Sequence, residues 1–211
     1  VAAICQGIAL GALVQGIEVA DRAYAGGWWD WLTPFSLLTG LAVATGYALL
    51  GATWLVLKTE GELQRGMRSR AWWLGLATLG FMGLVSLATP FTEPAYFTRW
   101  FNFPGSIFSV VMPVLMLGAA WALFTGLNDS RDLRPFLAAL SIFVLGFIGI
   151  GISFYPMMVP PTLTIWQAAA PDASLAFALV GAVILLPLIL AYTGYAYWVF
   201  RGKVRPGEGY H

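Results

Sequence analysis

One stretch of the chain, residues 35–64, restricts the fold more than any other. Its sequence is FSLLTGLAVATGYALLGATWLVLKTEGELQ, in which more than twenty uncharged residues precede Lys58 and a polar segment. An α-helix rises about 1.5 Å per residue, so this run is long enough to cross the roughly 30 Å hydrocarbon core of a bilayer. The abrupt appearance of charge at Lys58 is typical of a helix that leaves the membrane there.

Five further apolar segments have the same character. The predicted spans are residues 1–17, 34–57, 71–90, 104–127, 133–155 and 174–200. The first is shorter than the roughly 20 residues that a membrane helix needs. We therefore expect the chain to begin inside a helix and an upstream part of the protein to be missing. Continuous apolar runs, unlike alternation over about ten residues, exclude the strands of a membrane β-barrel. The sequence predicts an all-α polytopic membrane helix bundle, with five full transmembrane helices and the end of one more.

The composition supports a membrane protein and argues against a nucleic-acid partner. Hydrophobic residues make up 59% of the chain and charged residues only 10%, whereas soluble domains carry about 25% charged residues. The net charge of +1 gives no general attraction to a polyanion. The single cysteine, Cys5, cannot form an internal disulfide bond, so we interpret it as a packing residue.

Basic residues are distributed unequally between the connections. Arg22 and Arg99 lie on one side of the predicted membrane, and all other basic residues lie on the opposite side: Lys58, Arg65, Arg68, Arg70, Arg131, Arg134, Arg201, Lys203 and Arg205. Cytoplasmic loops carry the excess of Lys and Arg. We therefore expect the second group of residues, and the C-terminus, to face the cytoplasm.

The spans offer little for catalysis. His211, the terminal residue, is the one histidine in the chain. The span interiors lack Asp, Glu, Lys and Arg, which ion-coupled transporters place near the middle of the membrane. No zinc, P-loop or dinucleotide-binding motif is present. We predict no catalytic and no metal-ligating residue in this chain, and the residues alone leave cofactor binding unassigned. They indicate a polytopic inner-membrane subunit, with a secondary transporter or a structural membrane scaffold as alternatives.

Several stretches, in the expected order along the chain, resemble subunit II of the cytochrome bd-type quinol oxidases, including the cyanide-insensitive branch. They are PFSLLTG…GYALLGATWLVLKTEGELQ at 34–64, VPPTLTIWQAAAP at 159–171, LPLILAYTGYAYWVFRGKV at 186–204 and the terminal GYH at 209–211. QGI at 15–17 is similar to the end of the family's fourth helix. The residues of these motifs that we single out are Gly46, Gly51, Trp54, Lys58, Glu60, Gly61, Pro160, Pro161 and Trp166.

The resemblance implies a function in aerobic respiration. Oxidases of this family oxidise a membrane quinol and reduce dioxygen to water, which generates a proton-motive force in the bacterial inner membrane. Haem b and haem d belong to subunit I, the expected partner. Subunit II ligates neither haem and is expected to assemble and stabilise subunit I. Some members hold a structural quinone in subunit II, whose contacts we leave unassigned here.

The resemblance also implies a division of the chain. Residues 1–17 would end a truncated helix, 34–155 would form the second four-helix bundle, and 156–173 an external Pro-rich loop. Residues 174–200 would form a peripheral helix and 201–211 a cytoplasmic tail.

Three motif residues allow hypotheses about their roles. We expect Lys58 to extend toward lipid phosphate and to complement the C-terminus of its helix. A role of Lys58 and Glu60 in proton entry is an alternative. We expect Trp54 to be an anchor or packing residue rather than a stacking partner for quinone. Small residues at every fourth position, Gly40, Ala44, Ala48 and Ala52, predict a face where another helix approaches closely.

Overall fold

A computed structural model describes residues 1–21, 23–103, 105–129 and 131–203 of the chain. The elements, in chain order, are α1 (Ala2–Gln15), β1 (Val19–Ala20), β2 (Ala23–Tyr24), α2 (Pro34–Lys58), α3 (Gly61–Thr92), α4 (Pro94–Phe101), α5 (Gly105–Asn128), α6 (Leu133–Phe154), β3 (Met157–Val159), β4 (Leu163–Thr164), α7 (Ile165–Ala168) and α8 (Asp172–Val199). Strands β1 and β2, and strands β3 and β4, form two small antiparallel hairpins. Arg22, Arg205 and the GYH motif lie outside the described residues.

The predicted fold class is confirmed. Within the described residues, five helices are long and apolar enough to cross a membrane: α2, α3, α5, α6 and α8. The helix α1 is apolar but shorter. Because the backbone groups of a helix, apart from those at its two ends, are bonded within it, a helix is a secondary structure that a hydrocarbon environment allows.

Four of these helices pack around a common core. Contacts run from α2 to α3, from α3 to α5, from α5 to α6 and from α6 back to α2. The core cluster inside this ring includes Leu49, Ala71, Leu123, Ala139 and Ile142, which are all fully buried. The helix α1 packs along α2, outside the ring. Since lipid surrounds such a bundle, close packing rather than hydrophobic exclusion holds the helices together.

The bounds of α2 follow from local signals in the sequence. Thr33 caps its N-terminus: the Thr33 hydroxyl accepts a hydrogen bond from the Ser36 amide at 3.0 Å, and the Thr33 amide donates to the Ser36 hydroxyl at 2.9 Å. Pro34 occupies the first turn, where its missing N–H costs nothing. The helix ends at Lys58, whose charge complements the partial negative charge of a helix C-terminus. The predicted span, 34–57, differs from this helix by one residue.

The helix α3 is longer than the predicted span. It begins at Gly61, ten residues before the predicted start at Ala71. The added segment contains Glu, Leu, Gln and Arg, which are strong helix formers, so the helix continues beyond its apolar part. Gly61 has a φ of +71° and makes the turn from α2, a conformation that glycine adopts without strain. The short helix α4, which begins at Pro94, was not predicted either.

The stripe of small residues on α2 does not form one continuous contact. Gly40 is buried against Ile4 and Ile8 of α1, and Ala52 is buried in the bundle core. In contrast, Ala48 is exposed. Four residues turn an α-helix by slightly more than one revolution, so the stripe drifts by about 40° per step. Its two ends therefore meet different neighbours.

The last helix, α8, lies at the periphery. None of its residues is buried. Its contacts with the bundle are near its C-terminal end, where the Tyr197 ring lies 5.5 Å from that of Trp54. This agrees with the prediction of a peripheral last helix.

Candidate functional site at the basic end of the bundle

Four segments of the chain meet at one end of the bundle, which we call the basic end. They are the α2–α3 connection, the end of α5, the start of α6 and the residues after α8. Lys58 Nζ donates to the Phe200 carbonyl at 2.7 Å, and Arg68 Nη1 donates to the Leu127 carbonyl at 2.8 Å. The basic connections that the sequence places on one side of the membrane therefore also contact each other.

Asp132 is the centre of a charged network at this end. Its Oδ1 lies 2.7 Å from Arg68 Nη2, and its Oδ2 lies 2.5 Å from Lys203 Nζ. The three side chains are only 18 to 32% exposed. Hydrogen bonds between ions are stronger than neutral ones, whereas solvent screens a partly exposed pair. Asp132 thus joins α3, the start of α6 and the segment after α8.

Long side chains of α3 also donate hydrogen bonds to carbonyl groups at the C-terminal ends of two other helices. Arg68 Nη1 reaches the Gly126 carbonyl at 3.2 Å in addition to that of Leu127, both in the last turn of α5. Gln64 Nε2 donates to the Val56 carbonyl of α2 at 2.9 Å. The last four carbonyl groups of a helix lack partners within it. The residues of α3 that lie beyond its apolar part satisfy three of these groups.

Trp54 and Lys58 belong to one aromatic cluster beside this network. The Trp54 ring lies 5.1 Å from Phe136 of α6 and 5.5 Å from Tyr197 of α8. Lys58 Nζ lies 5.0 Å from the centre of the same indole ring, within the range of a cation–π interaction. Trp54 therefore packs against two other helices, and the ammonium group of Lys58 lies over its ring.

The other motif residues on α2 and α3 have different surroundings. A Cβ atom built on Gly46 would lie 2.9 Å from the Phe143 ring, whereas one built on Gly51 would have no neighbour within 4 Å. Glu60 is exposed, and its side chain makes no capping hydrogen bond with α3. Only the residues from Trp54 to Gly61 thus lie near the basic end.

The remaining motif residues lie at the opposite end of the bundle. Pro160 is buried, and a Cβ atom on Gly16 would lie 3.0 Å from the Pro160 carbonyl and 3.1 Å from Cδ of Pro161. The β3–β4 hairpin therefore packs against the end of α1. Trp166 is exposed and its ring lies 6.4 Å from that of Tyr155. The motif residues do not form a single site.

The opposite end also has buried polar contacts. The Tyr96 hydroxyl donates to the Val14 carbonyl at 3.0 Å, and burial raises the pKa of Tyr96 to about 12. Arg99 Nη1 donates to the Ser153 carbonyl at 2.5 Å. A cleft of about 630 Å³ lies beside these residues and has mostly apolar walls, including Phe108 and Ile152.

Three residues of the basic end could not be recognised as partners from the sequence: Arg68, Asp132 and Lys203. Arg68 and Lys203 contributed only to the count of basic residues in the loops. Asp132 lies 64 residues from Arg68 and 71 from Lys203, so no local pattern joins them. In the part of the chain that the structure describes, no three His, Cys, Asp or Glu side chains come together in a way that could hold a metal ion.

The fold and the basic end define a multi-pass α-helical membrane protein whose ion pairs, among the described residues, lie at the helix ends. Residues 1–200 match the family described as cytochrome bd terminal oxidase subunit II. The chain belongs to this family, which confirms the resemblance noted in the sequence.

Two curated relatives show the extent of the match. The chain is 27% identical to cytochrome bd-I ubiquinol oxidase subunit 2 of Escherichia coli strain K12, over 94% of this chain and 61% of the relative. It is 25% identical to the probable cytochrome oxidase subunit 2 of Haemophilus influenzae, over 97% of this chain and 63% of the relative. The chain therefore spans about three fifths of the length of these relatives.

Proposed function

We propose that this chain is part of the non-haem subunit of a respiratory terminal oxidase that oxidises quinol and reduces dioxygen to water, generating a proton-motive force. The family match over residues 1–200 carries this proposal. The name of the E. coli relative, a ubiquinol oxidase subunit, supports quinol as the substrate of the complex. Haem b and haem d would be held by the partner, subunit I.

The role of the chain in this complex is the assembly and stabilisation of its partner. The side chains at the basic end support this role because they connect helix ends to each other. Arg68 donates to a carbonyl group in the last turn of α5, and Gln64 donates to one in the last turn of α2. Asp132 joins three segments through its ion pairs. A rigid bundle of this kind presents a preformed apolar surface to a second membrane subunit. A structural quinone is an additional candidate ligand of the whole protein.

Lys58 stabilises the bundle in this proposal rather than delivering protons. Its ammonium group is already bonded to the Phe200 carbonyl and lies over Trp54. Glu60 is the exposed acidic residue of the same connection. If Glu60 instead delivered protons, Glu60→Gln would lower oxygen turnover of the intact complex, whereas we expect it to remain unchanged.

We also propose that the basic end and the C-terminus face the cytoplasm. The contacts of Lys58, Arg68 and Lys203 support this because they bring three basic segments to one end, and the positive-inside rule assigns such an end to the cytoplasm. In this arrangement α2, α3, α5 and α6 form the second bundle of the subunit, residues 156–173 lie outside, and α8 is peripheral.

A deletion strain tests the role in assembly. We expect membranes that contain subunit I without this protein to lose the haem d absorption and the quinol-dependent oxygen uptake of the oxidase. Expression of the full-length protein should restore both signals. Full haem d absorption and full oxygen uptake in the deletion strain would contradict the proposed role.

A further inference from the structure

A groove of about 490 Å³ opens between the second half of α5 and the first half of α6. Its floor contains Ala119, Ala122 and Ala138, and Leu137 forms part of its wall. The alanines are short, so they leave a shallow channel between larger neighbours. The one polar residue along this apolar part, Ser141, already donates its hydroxyl to the Leu137 carbonyl at 2.9 Å. The channel therefore has an apolar surface without a free donor.

The groove extends from the basic end into the membrane. Its residues run from Leu133, the first residue of α6, to Ser141, a rise of about 12 Å along the helix. Trp121 on α5 lies beside its mouth, is 67% exposed and contacts Arg134. Tryptophan is enriched at the level of the lipid headgroups. The mouth thus lies at that level and the floor in the hydrocarbon region.

Two arginines lie at the mouth, and neither makes a hydrogen bond to a carboxylate among the described residues. Arg131 is exposed and has no ion-pair or hydrogen-bond partner among the described residues. Arg134 lies 3.9 Å from the exposed Asp129, a distance too long for a strong hydrogen bond. Asp132 also lines the mouth, but Arg68 and Lys203 occupy both of its oxygen atoms.

We propose that this groove binds one anionic phospholipid, with an acyl chain on the alanine floor and the phosphate between Arg131 and Arg134. The planar guanidinium group matches the geometry of a phosphate, and basic residues near the surface attract anionic lipids. The apolar floor and the charged mouth together match the two parts of a phospholipid. The site is independent of the proposed oxidase function, since it requires only that the helices span a bilayer.

Native mass spectrometry of the purified complex, with the full-length protein in it, tests this proposal. The complex is delipidated and then titrated with phosphatidylglycerol or with phosphatidylcholine of the same acyl chains. We expect the double variant R131A/R134A to bind the anionic lipid about tenfold more weakly than the wild type at one site. The variant R65A loses a positive charge from an exposed residue of the same end and should bind like the wild type.

A second variant keeps both arginines but fills the floor. We expect Ala122→Leu, whose added side chain occupies the channel, to lose the same lipid. Equal binding of phosphatidylglycerol by the wild type, A122L and R131A/R134A would overturn the proposal. So would equal binding of phosphatidylcholine, or displacement of the lipid from the mouth by inorganic phosphate without any effect of A122L, which would indicate a site for free anions.

Discussion

Gly46 and Gly51 are close in sequence and belong to the same motif, yet they face different surroundings. The Phe143 ring covers Gly46, and this ring also contacts Tyr47, with centroids 5.5 Å apart. Gly51 is exposed and has open space beside it. The motif therefore contains one glycine that a helix contact requires and one that it does not.

Leucine substitutions should separate these two glycines. We expect Gly46→Leu to destabilise the protein by about 1–3 kcal/mol, because the side chain would be forced into a packed helix contact. Gly51→Leu should change the stability by less than about 0.5 kcal/mol or increase it, since leucine is a better helix former than glycine. Thermal unfolding of the detergent-solubilised complex measures both changes. Equal destabilisation by the two variants would contradict the contact between α2 and α6.

Tyr96 should make the stability of the protein depend on pH in the alkaline range. The pKa of tyrosine is about 10 in an unfolded chain, and burial raises that of Tyr96 to about 12. Below pH 10 the hydroxyl is protonated in both states, so its contribution is constant. Between pH 10 and about 12 only the unfolded state loses the proton, and the folded state becomes less stable as the pH rises.

Comparison of the wild type with Y96F isolates this effect. At pH 8 the variant should be less stable by about 1 kcal/mol, because it lacks the hydrogen bond to Val14. From pH 10 to 12 the midpoint of thermal unfolding should fall more steeply for the wild type, so the two curves converge. Parallel curves over this range would show that Tyr96 is not buried as described.

At the scale of single elements, the sequence predicts helices well where the membrane determines them and poorly elsewhere. The bounds of α2 were predictable because a charge and a capping threonine lie at its two ends. The start of α3 was not, since hydropathy detects the bilayer and the first ten residues of α3 lie beyond its apolar part. The short helix α4 was not predicted for the same reason, since it is not part of an apolar segment long enough to span the bilayer.

The candidate site was less predictable than the helices. The basic connections, Trp54 and Lys58 were visible in the sequence. The contacts of Asp132 with Arg68 and Lys203 were not, because they depend on how α3, α6 and the segment after α8 pack together. Such contacts need the tertiary structure, whereas a charge count needs only the order of residues.

The attachment of α8 to the bundle depends on few contacts, one of which is the pair of Asp132 and Lys203. A double-mutant cycle with D132N, K203M and the double variant should give a coupling energy of roughly 0.5–1 kcal/mol, because both side chains are partly shielded. The free energy of unfolding of the complex is the measured quantity. A parallel cycle with D129N and R134M, a pair 3.9 Å apart with Asp129 55% exposed, should give a coupling near zero. Equal coupling energies in the two cycles would contradict a stabilising contribution of the ion pair between Asp132 and Lys203.

At the scale of the whole molecule, the polar contacts are concentrated at the two ends and the apolar surface lies between them. The basic end carries Lys58, Arg68 and Lys203, and the opposite end carries exposed tryptophans such as Trp28, 93% exposed. In the orientation that we propose, this polarity places the basic end in the cytoplasm.

Single cysteines test the orientation directly. In a Cys5→Ser background, we expect W28C to react with a membrane-impermeant maleimide in intact spheroplasts. R65C should react only after the membrane is permeabilised, because Arg65 lies at the basic end. Both residues are exposed, so access through the membrane is the difference between them. The reverse pattern of labelling would contradict the proposed orientation.

Affinity purification tests the central claim that this chain belongs to a haem-containing oxidase without ligating the haem itself. The full-length protein is tagged, extracted from membranes in mild detergent, and examined by redox difference spectroscopy and by oxygen uptake with a quinol. We predict that a second subunit copurifies, with haem b and haem d absorption and quinol oxidase activity. Recovery of the protein alone, without haem absorption and with solute uptake after reconstitution, would contradict the account and favour a transporter.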